Sequence, residues 1–505
     1  MKFISIKSVS ASLIASALLF TSCSDLTDGF STDPVNPTDP TIIATNSFMS
    51  GTFVGLIGAY EADINRLTGM WTGHFSGEDR QYVGLANYAV SGRDFDTEWG
   101  GVYSSVVKNA HIVKSRAHVE KNPRMLAMAQ AAEAMAAGLA ADLWGDVPFS
   151  EMGKFPEIKT PKYDDQASVY AAVQVLLDSA ILNFNNADVA TVRLDQAADA
   201  DFFFEADADS WIAVCNTLKA RFYLHTRDYN SALTYAALGI ADASGDLMAP
   251  HGSSYLQNFN LFYSFTNYDR PGYMAGNGYA PALIDPDNAD SRNNDKTNEN
   301  SRLNYYYLPN FDGTYDINYL VDFDYGVPTE YNGFFGASTS FPMVTFAENN
   351  LILAEANAKL GNFTEALDAL NVHRDWLNNG GNWSSGYADN PTAMLLDDPT
   401  DPGFYDAYDA ADFDGGGIEN ADNIDPADAL LREILEERYV TLTGQLEVFN
   451  DIRRTGNYLN IPVVPGNSTI PLRLLYPQSE INTNPNVPAD NVGLFQATDA
   501  NSTPY

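Results

Sequence analysis

Cysteine is nearly absent from this 505-residue chain, which has two, at positions 23 and 215. Such a pair excludes a disulfide framework. Cys215 lies inside an apolar helical pattern, Ser210 to Leu224, and reads as a buried, inert thiol. Bases are scarce too: 28 Lys and Arg stand against 66 Asp and Glu, a net charge of −38. That balance speaks against nucleic acid and against anionic lipid surfaces, because both select a basic face. It suits solubility in a salty habitat, where screening shortens repulsion to about 10 Å or less. The six histidines include no His-x-x-x-His pair for a transition metal; His111 and His118 stand seven apart on one predicted helix. There is no G-x-S-x-G, no H-E-x-x-H, no P-loop and no C-x-x-C. A glycosidase would need two placed carboxylates, but with 66 acids any two near each other carry little information. Enzyme chemistry therefore finds no foothold in the motifs.

Long apolar runs are missing as well. Val9 to Phe20 is apolar and broken only by serines, follows Lys2 and Lys7, and is too short for a spanning helix, which needs about 20 residues. It reads as a signal peptide over 1–22. Leu19-Phe20-Thr21-Ser22-Cys23 places small residues directly before a cysteine, a pattern similar to the bacterial lipobox except for Phe20. We expect cleavage before Cys23 and lipid on that cysteine, with several acyl chains giving a stable anchor. Residues 23–44 then read as a polar, proline-rich tether with Asp25 and Asp28 near the anchor. No stretch after the leader reads as long and apolar enough to cross a membrane. The 483 residues from Cys23 onward, with 45% hydrophobic content over the whole chain, suffice for a large core.

Periodicity is mainly helical. It predicts helices over Thr45–Arg66, Glu98–Glu120, Arg124–Leu143, Gln166–Asn183, Asp209–Thr226, Ser231–Ala243, Met343–Leu360, Thr364–Leu377 and Pro426–Thr443. Tyr305–Leu308 and Tyr319–Asp324 read as strands. Residues 248–341 and 378–425 resist a helical reading and are rich in Gly, Asn, Asp, Pro and Tyr. Loops of that length are commonly functional or disordered, and their aromatics argue against simple disorder. Asp397 to Asp414 holds seven aspartates, which could offer oxygen ligands to Ca²⁺, but the EF-hand offsets are lacking and a solvated loop is the preferred reading.

One internal repeat is visible. Ala220 is followed twelve positions later by Ala232, after the turn Arg227-Asp228-Tyr229. Ala354 is followed twelve positions later by Ala366, after Gly361-Asn362-Phe363. A small residue in one helix and an alanine in the next let two helices pack closely, as in tetratricopeptide pairs. The copies lie 134 residues apart, so they are not consecutive units of one array in sequence. The predicted fold class is mainly α: tetratricopeptide-like helix pairs near 209–243 and 343–377 form a scaffold with long inserted loops and a few short strands. Residues 45–505 read as a single domain.

Several stretches resemble the SusD/RagB family of outer-membrane nutrient-binding lipoproteins. Ala140 to Glu151 is similar to its helix-ending D-L-W-G-D-V-P-F-S-E stretch, and Thr345 to Arg374 to its L-I-L-A-E-A helix pair. Leu430 to Gly456 resembles its late E-R helix followed by F-x-D-I-R-R, although Thr443-Gly444-Gln445 departs from the usual sequence. Arg473 to Pro485 resembles its closing segment, and Phe75 to Tyr82 with Asp94 to Trp99 its SusD-like branch. Arg432, Glu433, Glu436, Glu437 and Arg438 also make sense as i,i+4 charge pairs, and Arg453 and Arg454 as ties between helices.

The resemblance implies a surface lipoprotein of the outer membrane that captures an oligosaccharide. Its implied partner is a SusC-like TonB-dependent transporter. A sugar site needs flat aromatic faces edged by polar groups. The family implies such residues in Gly69–Tyr88 and Tyr255–Phe335, so the expected ligand residues are Trp71, Arg80, Tyr82, Tyr279, Tyr331 and Phe334, joined by Trp383 in its glycine-rich loop. Three other readings are carried: peptide capture, as the RagB side implies; a surface glycosidase; and a purely structural tetratricopeptide adaptor.

Overall fold

Aspartate and its polar relatives set the helix starts. The computed structural model describes residues 43–154, 157–186, 191–252, 254, 257–319, 333–381, 404–488, 492–503 and 505. The principal helices are α1 Thr45–Glu61, α2 Asp63–Trp71, α3 Arg80–Ala86, α4 Lys108–Glu120, α5 Pro123–Trp144 and α6 Gln166–Phe184. They continue with α7 Ala208–His225, α8 Tyr229–Ala236, α9 Phe346–Lys359, α10 Phe363–Asn378, α11 Pro426–Thr441 and α12 Leu446–Arg454. The carboxylates of Asp165, Asp207 and Asp228 accept from the backbone N–H three residues on, at 2.8, 2.9 and 3.1 Å, and so cap α6, α7 and α8. Each satisfies an orphan donor and is worth about 1 kcal/mol. Part of the acidic surplus is therefore capping chemistry.

The mainly helical fold expected from periodicity is what forms, and the two repeat pairs are α7–α8 and α9–α10. Their turns match: Arg227 and Gly361, at equivalent positions, both take left-handed backbone angles, φ 61° and 80°. Arg227 is held in that uncommon conformation by donating to the Thr503 carbonyl at 2.7 Å. The pairs, distant in sequence, are neighbours in space. Ala220, Leu224, Ala232 and Ala236 pack with Ile352 and Ala356 in one buried cluster, while Ala354 and Ala366 pack with α11 residues Leu430 and Ile434 in the next. Earlier in the chain α5 lies along α6, and Gly138 of α5 leaves room for the ring of Phe222, which a Cβ there would meet at 2.1 Å.

The structure corrects several expectations. The helix predicted over Thr45–Arg66 breaks at Ala62, whose ψ of −137° is not helical. Residues Gly101–Val107 within Glu98–Glu120 widen to a π-helix. Tyr305 and Tyr306 end a short helix, Asn300–Tyr306, and only then does strand Tyr307–Pro309 begin. Of Tyr319–Asp324 only Tyr319 is described, and it is in no strand. The apolar-span expectation also changes. The 19 residues of α6, at a mean hydropathy of 1.4, are long and apolar enough to cross a membrane by length and composition. In the fold, Val169, Val173, Leu177 and Phe184 of α6 are buried.

Strands are short and come as four antiparallel pairs among the described residues. β1 Ser76–Gly77 pairs with β3 Met274–Ala275, β2 Leu247–Ala249 with β7 Phe341–Val344, β4 Thr297–Asn298 with β8 Phe404–Tyr405, and β5 Tyr307–Pro309 with β6 Tyr315–Ile317. All but the last tie an inserted segment to a distant part of the chain.

Buried charge ties the insertions further. Glu433 and Glu437 of α11 do not pair along their own helix. They meet Arg292 at 2.7 and 2.9 Å, and Glu437 also meets Arg302 at 2.5 Å and His373 at 3.0 Å. Arg432 pairs with Asp422 at 2.8 Å. Arg438 meets Asp451 at 2.8 Å, and Arg454 grips Glu355 through both terminal nitrogens at 2.5 and 2.6 Å, so the expected tie between helices forms here. A second network holds His225 between Asp142 at 2.8 Å and Glu447 at 2.9 Å, so both ring nitrogens face carboxylates. The two carboxylates raise its pKa against the desolvation that opposes them, to about 9. Removing one member of such a network strands the others in low dielectric, at about 3–5 kcal/mol.

Candidate functional site

The β1–β3 pairing builds the site, because it lays the insertion against the loop that follows α2. Gly77 is required at this pairing, since a Cβ would meet the Tyr82 carbonyl at 2.1 Å. One residue on, the Glu78 N–H donates to the Tyr273 carbonyl at 2.8 Å. The Asp79 carboxylate then caps α3 by accepting from the Arg80 N–H at 2.9 Å. Ser91 and Asp94 close a capping box on the turn Gly92–Phe95, which delivers Arg93 and, one turn on, Glu98.

These elements enclose an open groove of about 570 Å³, lined by Arg66, Tyr82, Arg93, Glu98, Phe265 and Arg270 with flanking residues of the same segments. Its wall is aromatic. Tyr82 lies 4.9 Å from Phe265 and 5.9 Å, edge-on, from Tyr273. Guanidinium groups cover the ring faces: Arg66 sits 4.3 Å from Phe265, while Arg80 and Arg270 sit 5.7 and 5.9 Å from Tyr273. Asp63 pairs with Arg66 and fixes it. Arg93 and Arg270 form no ion pair among the described residues. Burial pushes the Glu98 carboxyl up to about 7, and its Oε2 is buried without a hydrogen-bond partner. The half-buried ring of Tyr273 beside the groove, the guanidinium donors of Arg93 and Arg270 and a carboxyl in both protonation states near neutrality can contact and hydrogen-bond a polyhydroxylated ligand.

The expected ligand residues divide. Tyr82 lines the groove, whereas Arg80, its side chain 72% exposed, lies over Tyr273 and is not a lining residue. Tyr82 is mostly buried and presents only part of its ring. Tyr279 is half-buried against Gly73, 6.2 Å from Tyr439, and is not a groove residue. Trp71 is enclosed by Tyr88 and Phe449, and its indole N–H donates to the Leu85 carbonyl at 2.9 Å. Phe334 is buried among Tyr305, Tyr306 and Phe335. A ring enclosed on all sides offers no face to a sugar, so Trp71 and Phe334 stand as core in this fold. Cys23, Tyr331 and Trp383 lie outside the described residues.

Sequence reasoning missed Phe265, Arg93, Glu98 and Arg270. The signals they gave were position alone: Phe265 and Arg270 in a segment that resisted a helical reading, Arg93 beside the Asp94–Trp99 motif and Glu98 within it. It also passed over Phe311, fully exposed at the tip of the β5–β6 hairpin. That hairpin joins β3 through the Gly276 N–H, which donates to the Tyr315 carbonyl at 2.8 Å.

Two other features proved structural. His74 stacks on Tyr439 at 4.5 Å, and burial holds its pKa down to about 4, so it stays neutral. In the aspartate-rich loop, Asp409 and Asp412 cap the turn Ala410–Asp412 and hold Lys296 between them, at 3.5 and 2.6 Å. Asp397, Asp398 and Asp401 lie outside the described residues, and among the described ones no three metal-binding side chains converge.

Known proteins supply the remaining comparison. The model of a SusD-like family described as starch-binding, associating with the outer membrane, matches residues 37–477. A SusD/RagB family protein of Bacteroides thetaiotaomicron is 21% identical with a TM-score of 0.61, over 92% of this chain and 98% of that one. A chitin-binding SusD homolog from Flavobacterium johnsoniae is 16% identical with a TM-score of 0.63, over 90% and 99%. A SusD homolog from Bacteroides uniformis is 18% identical with a TM-score of 0.63, over 91% and 99%. No curated protein matches the sequence.

Proposed function

Because this chain belongs to the SusD-like family, we propose that it captures an oligosaccharide at the cell surface and passes it to a SusC-like TonB-dependent transporter. The half-buried Tyr273 beside an arginine-rimmed groove, backed by the buried rings of Tyr82 and Phe265, is the observation that carries this reading. Sugar C–H faces stack on such rings, while Arg93, Arg270 and Glu98 meet hydroxyl or acidic groups at the rim. The chitin-binding relative of the same fold supports a saccharide over a peptide. Lipid on Cys23 and the proline-rich tether would hold the molecule at the outer membrane while leaving it free to swing. It binds without turning its ligand over.

Calorimetric titration with a panel of neutral and acidic oligosaccharides and of peptides tests the reading. Saccharide binding that weakens about tenfold in Tyr273→Ala is the expected result, since one aromatic stacking contact is worth about 0.5–1.5 kcal/mol. Binding of peptides alone would replace it with peptide capture, and shorter sugars appearing during incubation would overturn binding without turnover.

A further inference from the structure

The bases of this chain are unevenly placed. Residues 101–162 carry eight Lys and Arg against six Asp and Glu, in a chain with 28 against 66. Much of that surplus converges on a second groove, of about 960 Å³, lined by Lys108, His111, Arg116, Lys154 and Lys159, with Glu151 the only acid. His111 and Lys114 are occupied by Glu133, the histidine at 2.8 Å. Lys108, Lys154 and Lys159 are exposed and form no ion pair among the described residues.

The groove also lies where the tether enters the fold. Arg116 donates to the carbonyl of Ile43, the first described residue, at 2.6 Å. Cys23 is 20 residues upstream, so an anchor there would tether the molecule from this side. If Cys23 carries lipid, as proposed above, this is the face held next to the membrane. The net charge of −38 does not repel that face as a whole, because screening limits each charge to about 8–10 Å. Only nearby groups count, and here Lys108, Arg116, Lys154 and Lys159 outnumber Glu151 and Glu157. Exposed lysines around an open groove suit a layer of phosphates better than one small anion.

We propose that this basic face docks on the phosphate-bearing headgroups of the membrane that carries the protein, and so fixes which side of the molecule is turned away from it. The orientation rests on the proposed anchor at Cys23, whereas the affinity of the face for phosphate does not. The test therefore uses the mature chain with Cys23→Ala, so that no acyl group contributes. It is mixed with vesicles of phosphatidylcholine, or of phosphatidylcholine with about one third phosphatidylglycerol.

Co-sedimentation with the anionic vesicles only is expected, lost in about 1 M NaCl, where the screening length falls to about 3 Å. Each lysine near such a surface multiplies partitioning about fivefold. Reversing Lys108, Lys154 and Lys159 to Glu should then lower it at least about a hundredfold. Unchanged oligosaccharide binding would show that this variant is folded. Equal binding to neutral vesicles, no binding at all, or binding that survives the triple reversal would overturn the proposal. So would displacement by millimolar inorganic phosphate, which would mark a discrete anion pocket. Fractionation of cells expressing Cys23→Ala tests the anchor separately.

Discussion

Raising the pH should loosen this protein through one histidine. His225 is buried, and both its ring nitrogens face carboxylates, Asp142 at 2.8 Å and Glu447 at 2.9 Å. Its pKa rises from 6.5 to about 9 in the fold. A group whose folded pKa is raised contributes its full stability below the unfolded pKa, and that contribution is lost as pH climbs through the folded one. The window is therefore pH 6.5 to 9. At about 1.4 kcal/mol per pH unit, the displacement amounts to about 3 kcal/mol. Urea unfolding followed by tryptophan fluorescence, at pH values from 6 to 10, measures this in the native chain and in His225→Gln. The variant removes the cation between Asp142 and Glu447, leaving Glu447 only Arg221 at 3.5 Å, so it should be less stable at pH 6 by about 3 kcal/mol. By pH 10 the gap should shrink by about 3 kcal/mol, because the native chain loses there what the variant never had. A gap constant across the range would refute the protonated histidine.

Other outcomes follow from the same geometry. Glu437→Gln should destabilise the chain by about 3 kcal/mol, since it takes from Arg292 and Arg302 the carboxylate they share and leaves them Glu433 and Glu299, whereas exposed Glu365→Gln should stay within about 0.5 kcal/mol; chemical denaturation separates them. Gly138→Ala should lower the melting temperature through a clash with Phe222, at about 1–3 kcal/mol. Trp71→Ala should lose about 3–5 kcal/mol of stability, while Tyr273→Ala should keep the native melting temperature and lose oligosaccharide affinity. A Trp71→Ala protein of native stability with abolished binding would return Trp71 to the site. Glu98→Gln should flatten any dependence of oligosaccharide affinity on pH near 7, where the native carboxyl titrates, and calorimetry across pH 5.5–8.5 would show it.

The legible parts of this molecule were the local ones. Helix starts could be found because a capping aspartate acts three residues away, and the repeats because Ala220 and Ala232 must both be small for two helices to touch. The groove was only half legible. Tyr82 sits in a motif, but Phe265 and Arg270 reach it through a strand pairing that joins Ser76 to Ala275, and nothing in either segment announces that register. Trp71 was misjudged for a related reason. An aromatic beside a glycine-rich loop has the same composition whether it faces solvent or Phe449. The charges of α11 follow the same rule: i,i+4 spacing allowed pairing along the helix, and arginines from the insertion offered better-buried partners.

The stacking of two repeat pairs across the length of an insertion sets a clock on how the chain can be made. The faces of α7 and α8 that bear Leu224 and Ala236 are complete early, but Ile352 and Ala356, which cover them, lie more than a hundred residues further along. At roughly 5–20 residues per second of synthesis, those apolar faces wait about 5–25 s for a partner. An amino-terminal piece that ends before Ile352 leaves these two helices without their cover. The scaffold thus commits to its structure only when the carboxy-terminal helices arrive.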